Sequence, residues 1–435
     1  MHNVIIAGAA GRDLHNFLTY FKNNKDFHVI CFTATQIPGI EKRTFPKKLA
    51  GKLYRKNIPI YPESQLSNLI KKHNIDYVFL SYSDLSNQFV MEFASKVLAS
   101  GANFALLGPK DTYIKSKKPV IAVTAVRTGS GKSQTSRAVA QILRKKGKKV
   151  VAIRHAMPYG KDLTKQTCQR FASEKDFKKQ KTTIEEEEEY QPWIDNGFVV
   201  YAGFDYKEIV KQAEKEADIL IFDGGNNDIP MIQPDLHITV ADPHRAGHEI
   251  TYYPGFLNFL LSDIIIINKV DSAKKSDIEL VKKHAKQYNP KAKIILARSD
   301  KMVDKPKLIK NKFVVVVGDG PTLTHGGMKF SAGTIAAERY GGKIIDPRKY
   351  AIGSIKDTFK KYPHLKQELP AMGYSKKQIQ DLQNTINKIK CDLVIDGTPA
   401  NLKRIIKVNK PIIEVNYELG KGAVRQLSQV LKRFK

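Results

Sequence analysis

One segment in the first third of the chain constrains the fold more than any other. The apolar run Val120–Thr124 leads into the glycine-containing stretch Ala125–Ser133, with sequence AVRTGSGKS, and a helical pattern continues to about Lys145. A strand that feeds a glycine loop and then opens a helix places several backbone N–H groups and the positive helix end around a phosphate chain. The sequence therefore predicts a phosphate-binding loop, or P-loop, on an α/β framework.

The residues of this loop have distinct expected roles. Gly129 and Gly131 let the backbone approach a phosphate closely. Lys132 would reach the β- and γ-phosphates of a nucleotide, and the Ser133 hydroxyl would bind Mg²⁺. The loop departs from the strict Walker A pattern at Val126, which takes the place of the first glycine. The residues expected to bind nucleotide here are Thr128, Gly129, Ser130, Gly131, Lys132, Ser133 and Gln134.

Arg127, five residues before Lys132, is a further candidate for contact with phosphate. The loop resembles the deviant P-loops of the signal-recognition, MinD and BioD class of nucleoside triphosphatases, which carry a second lysine at that place. A basic side chain there could act in cis, or in trans as an arginine finger within a homodimer. The alternative is a loop arginine exposed to solvent.

Two later strand ends also suit nucleotide chemistry. Asp223 ends the apolar strand within Ala217–Gly225 and is placed to bind Mg²⁺ through water. The tetrapeptide NKVD follows another apolar strand and matches the guanine-recognition pattern NKxD. An aspartate carboxylate accepts hydrogen bonds from N1 and N2 of guanine, a pair of donors that adenine lacks. Asn268, Lys269 and Asp271 are therefore expected at the base, with GTP and ATP both left open as the co-substrate.

Candidates for the chemical step lie at the end of the strand after the P-loop helix. Arg154 and His155 stand at the edge where open α/β sheets bind ligands. We predict that they are catalytic together with Lys132, Arg127 and Asp223. The alternative for His155 is a strand-end histidine with ordinary hydrogen bonds.

Two other segments of the central part carry charge. His244 and Arg245 lie in Asp242–Glu249, a mixture that suits either an anion pocket or a metal site. A proline and a glycine within it interrupt a regular helix, which favours the anion pocket. The run Glu185–Glu189 is expected to be a solvated helix face, with one carboxylate available to Mg²⁺ or as a base.

The two ends of the chain add turns that suit anions. The turn Gly8–Asp13 is Rossmann-like, but the second strand ends without the acidic residue that would hold a ribose, so NAD is not expected. The stretch Gly318–Met328 predicts a nest for a phosphate or carboxylate, with its histidine as an acid or base. Structural turns are the alternative. The candidate substrate-binding residues of these turns are Gly8, Gly11, Thr322, Thr324 and His325.

Short β-branched runs alternate with amphipathic stretches along all 435 residues, which predicts a multidomain α/β protein. We expect a Rossmann-like N-terminal unit at 1–115 and a central P-loop nucleoside triphosphatase unit with a largely parallel sheet at 116–305. A C-terminal α/β unit would cover 306–435.

The net charge of +30 admits nucleic acid, an acidic membrane surface or small polyanions as partners. No apolar run approaches the roughly 20 residues of a membrane span, so no membrane partner is expected. Nucleic acid ranks last, because no RNA-binding motif or aromatic-basic platform stands out. The three widely spaced cysteines indicate neither a disulfide framework nor a zinc site and favour a reducing cytoplasm.

In the order of its motifs the chain resembles, nearly end to end, the archaeal and bacterial predicted GTPases related to cyclic 2,3-diphosphoglycerate synthetase. The shared landmarks are GAAGRD at Gly8–Asp13, FTATQIPGI at Phe32–Ile40, AVRTGSGKS at Ala125–Ser133, RHAMPYG at Arg154–Gly160, DGGNND at Asp223–Asp228, ADPHRAGHE at Ala241–Glu249, NKVD at Asn268–Asp271 and DGPTLTHGGM at Asp319–Met328.

This resemblance implies an Mg²⁺-dependent enzyme that transfers a phosphoryl group from ATP or GTP to a small phosphorylated acid. In 2,3-bisphosphoglycerate the ring would then close to an intramolecular phosphoanhydride. The cations available for the two phosphates are Arg154, His155, His244, Arg245 and His325. The alternative is a GTPase switch or a metallochaperone-type GTP-binding protein.

Overall fold

The computed structural model describes residues 1–8, 11–34, 43–155, 162–324, 326–372, 375–398 and 402–434, without the side chains of 184, 185 and 321. These residues form sheet-centred α/β units one after another along the chain, so the predicted multidomain α/β fold is confirmed. Within the described residues, no helix combines the length and the apolar character needed to cross a membrane.

The N-terminal sheet is parallel except at one edge. Its order from that edge is Thr44–Phe45, Ile58–Pro62, Phe27–Ala34, His2–Gly8, Tyr77–Leu80 and Asn103–Ala105. The helices of this unit are Arg12–Asn16, with a π-helical turn at Phe17–Phe21, and Lys47–Ala50, Leu66–Lys72, Asn87–Ala99 and Pro109–Thr112.

The central sheet has the P-loop strand near its middle. Its order is Gln169–Phe171, Val199–Gly203, Val150–His155, Ile219–Asp223, Val120–Ala125, Leu236–Ala241, Ile264–Ile267 and Lys293–Leu296, all parallel except the first. Its helices are Lys132–Lys145, Glu174–Gln180, Ile184–Asp195, Tyr206–Ala213, His248–Thr251, Gly255–Leu261 and Lys275–Tyr288. Because neighbouring parallel strands end at the same edge, the P-loop, Asp223 and Asp242 are brought together there.

The third sheet begins before the boundary expected at residue 305. Ser299–Val303 pairs antiparallel with Ile412–Leu419, and the order continues through Leu393–Gly397, Phe313–Asp319 and Lys343–Ile344. Glu368–Ala371 also pairs with Phe313–Asp319. The helices of this unit are Gly320–Leu323, Ala332–Arg339, Gly353–Lys361, Lys376–Lys388, Leu402–Ile405 and Lys421–Val430.

The units are joined by packing as well as by chain connections. The last helix, Lys421–Val430, returns to the central unit, where Ala423 and Leu427 share an apolar core with Val139 and Leu143 of the P-loop helix. Leu85–Ser86 of the N-terminal unit pairs with Tyr252–Tyr253 of the central one. These contacts place all three units around the P-loop.

Candidate active site

The P-loop is shaped by two glycines with positive φ angles, 77° at Gly129 and 106° at Gly131. A Cβ atom on Gly131 would lie 2.0 Å from the side-chain nitrogen of Asn268, and one on Gly129 would lie 2.4 Å from the methyl carbon of Thr322. Both the backbone angle and the lack of space therefore require glycine. Helix Lys132–Lys145 starts directly after Gly131, as the sequence predicts within one residue.

The carboxylate of Asp223 is the centre of the site's charge network. Its Oδ1 accepts hydrogen bonds from Lys132 Nζ at 2.6 Å and from the Ser136 hydroxyl at 2.9 Å. Its Oδ2 lies 2.6 Å from Arg154 Nη1 and accepts from Trp193 Nε1 at 3.1 Å. Burial would raise the pKa of Asp223, but the charges of Arg154 and Lys132 outweigh burial and hold that pKa well below its usual range. Asp223 thus stays ionised and holds both cations.

Lys132 is buried, and burial lowers the pKa of its ammonium group to about 8 although Asp223 acts in the opposite direction. The amine therefore approaches its titration range at neutral pH. A bound triphosphate would restore the ammonium form, because phosphate oxygens add negative charge beside it.

Nucleotide binding is expected to depend on pH through this lysine. Above pH 8 the free protein loses the Lys132 proton, so the affinity for nucleotide should fall by up to ~10-fold per pH unit, with proton uptake on binding. Isothermal titration calorimetry in buffers of different ionisation enthalpy measures that uptake. Lys132→Arg is the control, because an arginine stays charged throughout this range. Equal pH dependence in the two proteins would contradict the assignment.

Arg127 is buried, not exposed on the loop as the alternative interpretation had it. Its Nε donates to Asp84 Oδ1 at 2.6 Å, and its Nη1 lies 2.6 Å from His248 Nδ1. The guanidinium carbon lies 3.6 Å from the centre of the Tyr252 ring. The backbone N–H of Asp84 donates to the side chain of Asn227, which lies in the loop after the strand Ile219–Asp223. Arg127 therefore connects the P-loop to the N-terminal unit, and its contact with phosphate remains a prediction.

Arg154 and His155 lie at the same sheet edge as Asp223, as the sequence indicates. Arg154 also pairs with Glu189, which belongs to the five-glutamate run. His155 Nδ1 lies 3.4 Å from Asp228 Oδ2. The glutamate run is therefore not only a solvated helix face, because Glu188 and Glu189 line a cleft that opens above the P-loop and is described below.

Two residues of the NKVD motif support the P-loop directly. Asn268 Nδ2 donates to the Ser130 carbonyl at 3.0 Å, and Lys269 Nζ donates to the Gly129 carbonyl at 2.7 Å. Asp271 accepts from the Ser299 backbone N–H at 2.8 Å and from Lys301 Nζ at 2.6 Å. The motif therefore braces the loop, and guanine recognition by Asp271 remains a prediction.

The segment after Leu236–Ala241 neutralises most of its own charge. Asp242 accepts from His244 Nδ1 at 2.8 Å and from Lys269 Nζ at 2.6 Å. Arg245 donates to the carbonyls of Thr128 and Gly326, at 2.8 and 2.6 Å. Its role in this structure is to tie the P-loop to the C-terminal unit, while anion binding by His244 and Arg245 stays a prediction.

The glycine-rich stretch of the third unit packs against the P-loop. Thr322 lies against Gly129 and donates from its hydroxyl to Asp319 Oδ2. The Thr324 hydroxyl donates to the Gly320 carbonyl at 2.7 Å within the same turn. His325 lies outside the described residues. The predicted nest is therefore part of the wall of the nucleotide site.

The opening turn of the chain is an interface with the central unit. A Cβ on Gly8 would lie 2.7 Å from Asp13 Cβ, and the Gly11 N–H donates to Asp13 at 2.8 Å. Arg12 donates to the Ile229 carbonyl at 2.8 Å and to the Thr112 hydroxyl at 3.1 Å. Substrate contact at Gly8 and Gly11 remains a prediction. The sequence carried no indication of the contacts made by Arg12, Asp84 and Trp193, because the partner of each side chain is distant in the chain.

A cleft of about 1420 Å³ opens above the P-loop, with walls from all three units. Mg²⁺ fits this site, because Ser133, Glu188 and Glu189 line the cleft and offer the oxygen ligands that Mg²⁺ takes in nucleotide sites, along with phosphate oxygens. Asp223 would bind through water or after Lys132 turns to the phosphates. Within the described residues, no group of three or more His, Cys, Asp and Glu side chains is arranged to hold a metal by itself.

Comparison with known proteins was made over the whole chain. No protein-family model matches it. The arginine synthetase ArcE of Thermococcus kodakarensis is 57% identical over 432 residues, which are 99% of this chain and 96% of that protein. The cyclic 2,3-diphosphoglycerate synthetase of Pyrococcus furiosus is 28% identical over 102 residues, 22% of this chain and 24% of that protein. The predicted relation to the latter enzyme therefore holds over a limited part of the sequence.

Two solved structures share parts of the fold. LpxK from Aquifex aeolicus, crystallised with ATP, has a TM-score of 0.42 and 13% identity, covering 80% of this chain and 95% of that one. The hydrogenase maturation factor HypB from Archaeoglobus fulgidus has a TM-score of 0.27 and 19% identity, covering 43% and 82%. Both similarities are too low to bear on function.

Proposed function

Since the chain belongs to the family of the arginine synthetase ArcE, we propose that it is a nucleotide-dependent synthetase whose product is arginine. The observation that carries this proposal is the identity of 57% over 99% of the chain. The geometry supports it, because a P-loop lysine held by a buried aspartate faces a cleft large enough for a nucleotide and a second substrate.

Formation of a guanidinium group from the corresponding ureido group needs an activated oxygen. We infer that the γ-phosphoryl group passes to the ureido oxygen with release of nucleoside diphosphate. A nitrogen donor then adds to the same carbon, phosphate leaves with the oxygen, and the nitrogen loses a proton. We assign Lys132 and Arg154, which pair with Asp223 in the free protein, to the transferring phosphoryl group, whose negative charge would replace that of Asp223. Mg²⁺ would supply charge neutralisation on the β- and γ-phosphates.

We further propose that Asp271 reads the base of GTP. Asp271→Asn replaces one acceptor oxygen by a donor and should weaken GTP ~10- to 100-fold with little effect on ATP. Competition between the two nucleotides for the P-loop measures this selectivity. Asp277→Asn, a change of a half-buried acid at the start of helix Lys275–Tyr288, is the control. An equal loss for both nucleotides would contradict base recognition and assign Asp271 to the support of Ser299 and Lys301.

A second candidate is phosphoryl transfer to a small phosphorylated acid, with ring closure in 2,3-bisphosphoglycerate. It is favoured by the 102-residue similarity to the cyclic 2,3-diphosphoglycerate synthetase. Against it, Arg245, one of the cations proposed for two phosphates, is engaged by the backbone carbonyls of Thr128 and Gly326.

One experiment separates these functions. The purified protein is incubated with Mg²⁺ and ATP or GTP, with either citrulline and a nitrogen donor (ammonium, glutamine or aspartate in turn) or 2,3-bisphosphoglycerate. Chromatography detects arginine and phosphorus NMR detects a cyclic product. Arginine formation coupled to nucleotide hydrolysis is the expected result. Cyclic product without arginine would favour the second candidate, and slow hydrolysis that ignores every acceptor would favour a GTPase switch.

A further inference from the structure

Three carboxylates lie on neighbouring strands of the third sheet, and one of them, Asp319, stands at the edge that borders the cleft. Asp319 ends the strand Phe313–Asp319, Asp396 is the last but one residue of the strand Leu393–Gly397, and Glu368 begins the strand Glu368–Ala371, in register with Val316. Among the described residues, none of the three has a lysine or arginine nitrogen within 4 Å. This edge is acidic in a protein whose net charge is +30.

Burial makes these carboxylates costly in the absence of a ligand. It raises the pKa of Asp319, although Thr322 donates two hydrogen bonds that act against the rise. It raises the pKa of Glu368 to about 7 and that of Asp396 to about 6. Glu368 is 2% exposed, and its Oε2 has no hydrogen-bond partner within the described part of the chain. A bound cation would offset that cost.

A single residue, Thr322, connects Asp319 to the P-loop. Thr322, which donates to Asp319, lies directly against Gly129. Five of the basic side chains around the loop have acidic partners: Arg127 with Asp84, Lys132 and Arg154 with Asp223, Lys269 with Asp242, and Lys301 with Asp271. Asp319 itself lines the cleft, so its carboxylate can meet a cationic ligand there.

The surroundings of Asp319 suit a chain of methylene groups that carries a planar cation. Several apolar or aromatic side chains of the third unit line the cleft, among them Leu323, Met328, Phe330, Ile335, Met372 and Tyr417. Carboxylates pair best with a guanidinium group, which presents two parallel N–H donors. A phosphorylated acid would be repelled at the same place.

We propose that Asp319 binds the guanidinium group of the product arginine in the cleft, on the side of the third unit. This subsite rests on the proposed arginine synthetase function. It distinguishes the charged product from the neutral ureido compound, because only the guanidinium forms an ion pair with the carboxylate.

Binding of small probes tests the subsite without turnover. Arginine and methylguanidinium carry the cation, while citrulline and methylurea are neutral molecules of matched shape. Calorimetric titration of wild-type protein and Asp319→Asn should show ~10- to 100-fold weaker binding of the two cations, a change of less than about threefold for the neutral pair, and unchanged nucleotide binding. Asp346→Asn, an exposed acid paired with Arg348 outside the cleft, is the matched control.

The outcomes separate the subsite from the proposed reaction. Asp319→Asn is expected to fold, because it leaves no buried lysine or arginine of the described structure without its partner, and thermal unfolding checks this. Cation binding by the variant equal to wild type would overturn the subsite, even if the wild type forms arginine. Absence of cation binding by the wild type would also overturn it. If the wild type forms no arginine but binds the cations, and Asp319→Asn loses that binding, the subsite stands and the proposed reaction is overturned.

Discussion

Lys132→Ala should reduce nucleotide turnover ~10³-fold, because it removes the P-loop ammonium group that we propose neutralises charge on the transferring phosphoryl group. Folding should survive, since Asp223 keeps Arg154, Ser136 and Trp193 as partners. Phosphate release measured at saturating nucleotide gives the effect on turnover. The single tryptophan, Trp193, lies on the same carboxylate and reports nucleotide binding by its fluorescence.

Lys282→Ala is the matched control, because Lys282 lies on an outer helix and pairs only with the neighbouring Glu279. It should leave turnover and Trp193 fluorescence unchanged. Turnover by Lys132→Ala within about threefold of wild type would refute the P-loop assignment and with it every enzymatic proposal made for this chain.

Asp223→Asn should lower the free energy of unfolding by about 3 kcal/mol, because the ammonium of Lys132 and the guanidinium of Arg154 then lack their shared buried counter-charge. Chemical denaturation at pH 7 measures this. The folded-state pKa of Asp223 is depressed, so its contribution is present above the unfolded pKa of ~3.9 and is lost as the pH falls below it. The difference between wild type and variant should therefore shrink in acid.

Nucleotide offers an internal control for this variant. Its phosphates supply negative charge to the same two cations, so saturating nucleotide should raise the melting temperature of Asp223→Asn more than that of wild type. Asp263→Asn, at a strand start away from the cleft, tests the loss of an ordinary carboxylate hydrogen bond. A stability loss for Asp223→Asn no larger than for Asp263→Asn would show that the charge network contributes little.

The network explains why the free protein keeps its phosphate site intact. Two buried cations without a counter-ion would repel each other, and Asp223 prevents this until a nucleotide arrives. Exchange of Asp223 for phosphate leaves the sum of charges around Lys132 and Arg154 favourable in both states. The same exchange would bring Trp193 and Arg154 into a new arrangement, which the fluorescence measurement follows.

Two of the strands expected from the sequence follow unbroken apolar runs, and the structure confirms them. Val120–Ala125 lies in the middle of the central sheet and Ile264–Ile267 lies next to its edge strand, and both are buried along their whole length, so their side chains are almost continuously apolar. Glu368–Ala371 contains an acid and a proline and carries no strand pattern, yet it pairs with Phe313–Asp319. Edge pairing tolerates such residues, because one side of the strand needs no ladder partner.

By itself, the sequence determined the parts of this protein whose chemistry is local. The P-loop needs only a strand, two glycines and a helix in succession, and Asp223 needs only to end an apolar strand. Tertiary structure decided which distant groups complete them, because ion pairs such as Asp84–Arg127 and contacts such as Thr322–Gly129 depend on how three units pack. It decided too that Asp319, at the end of a strand of the third sheet, lines the same cleft as the P-loop, since no spacing along a chain encodes the relative placement of two sheets.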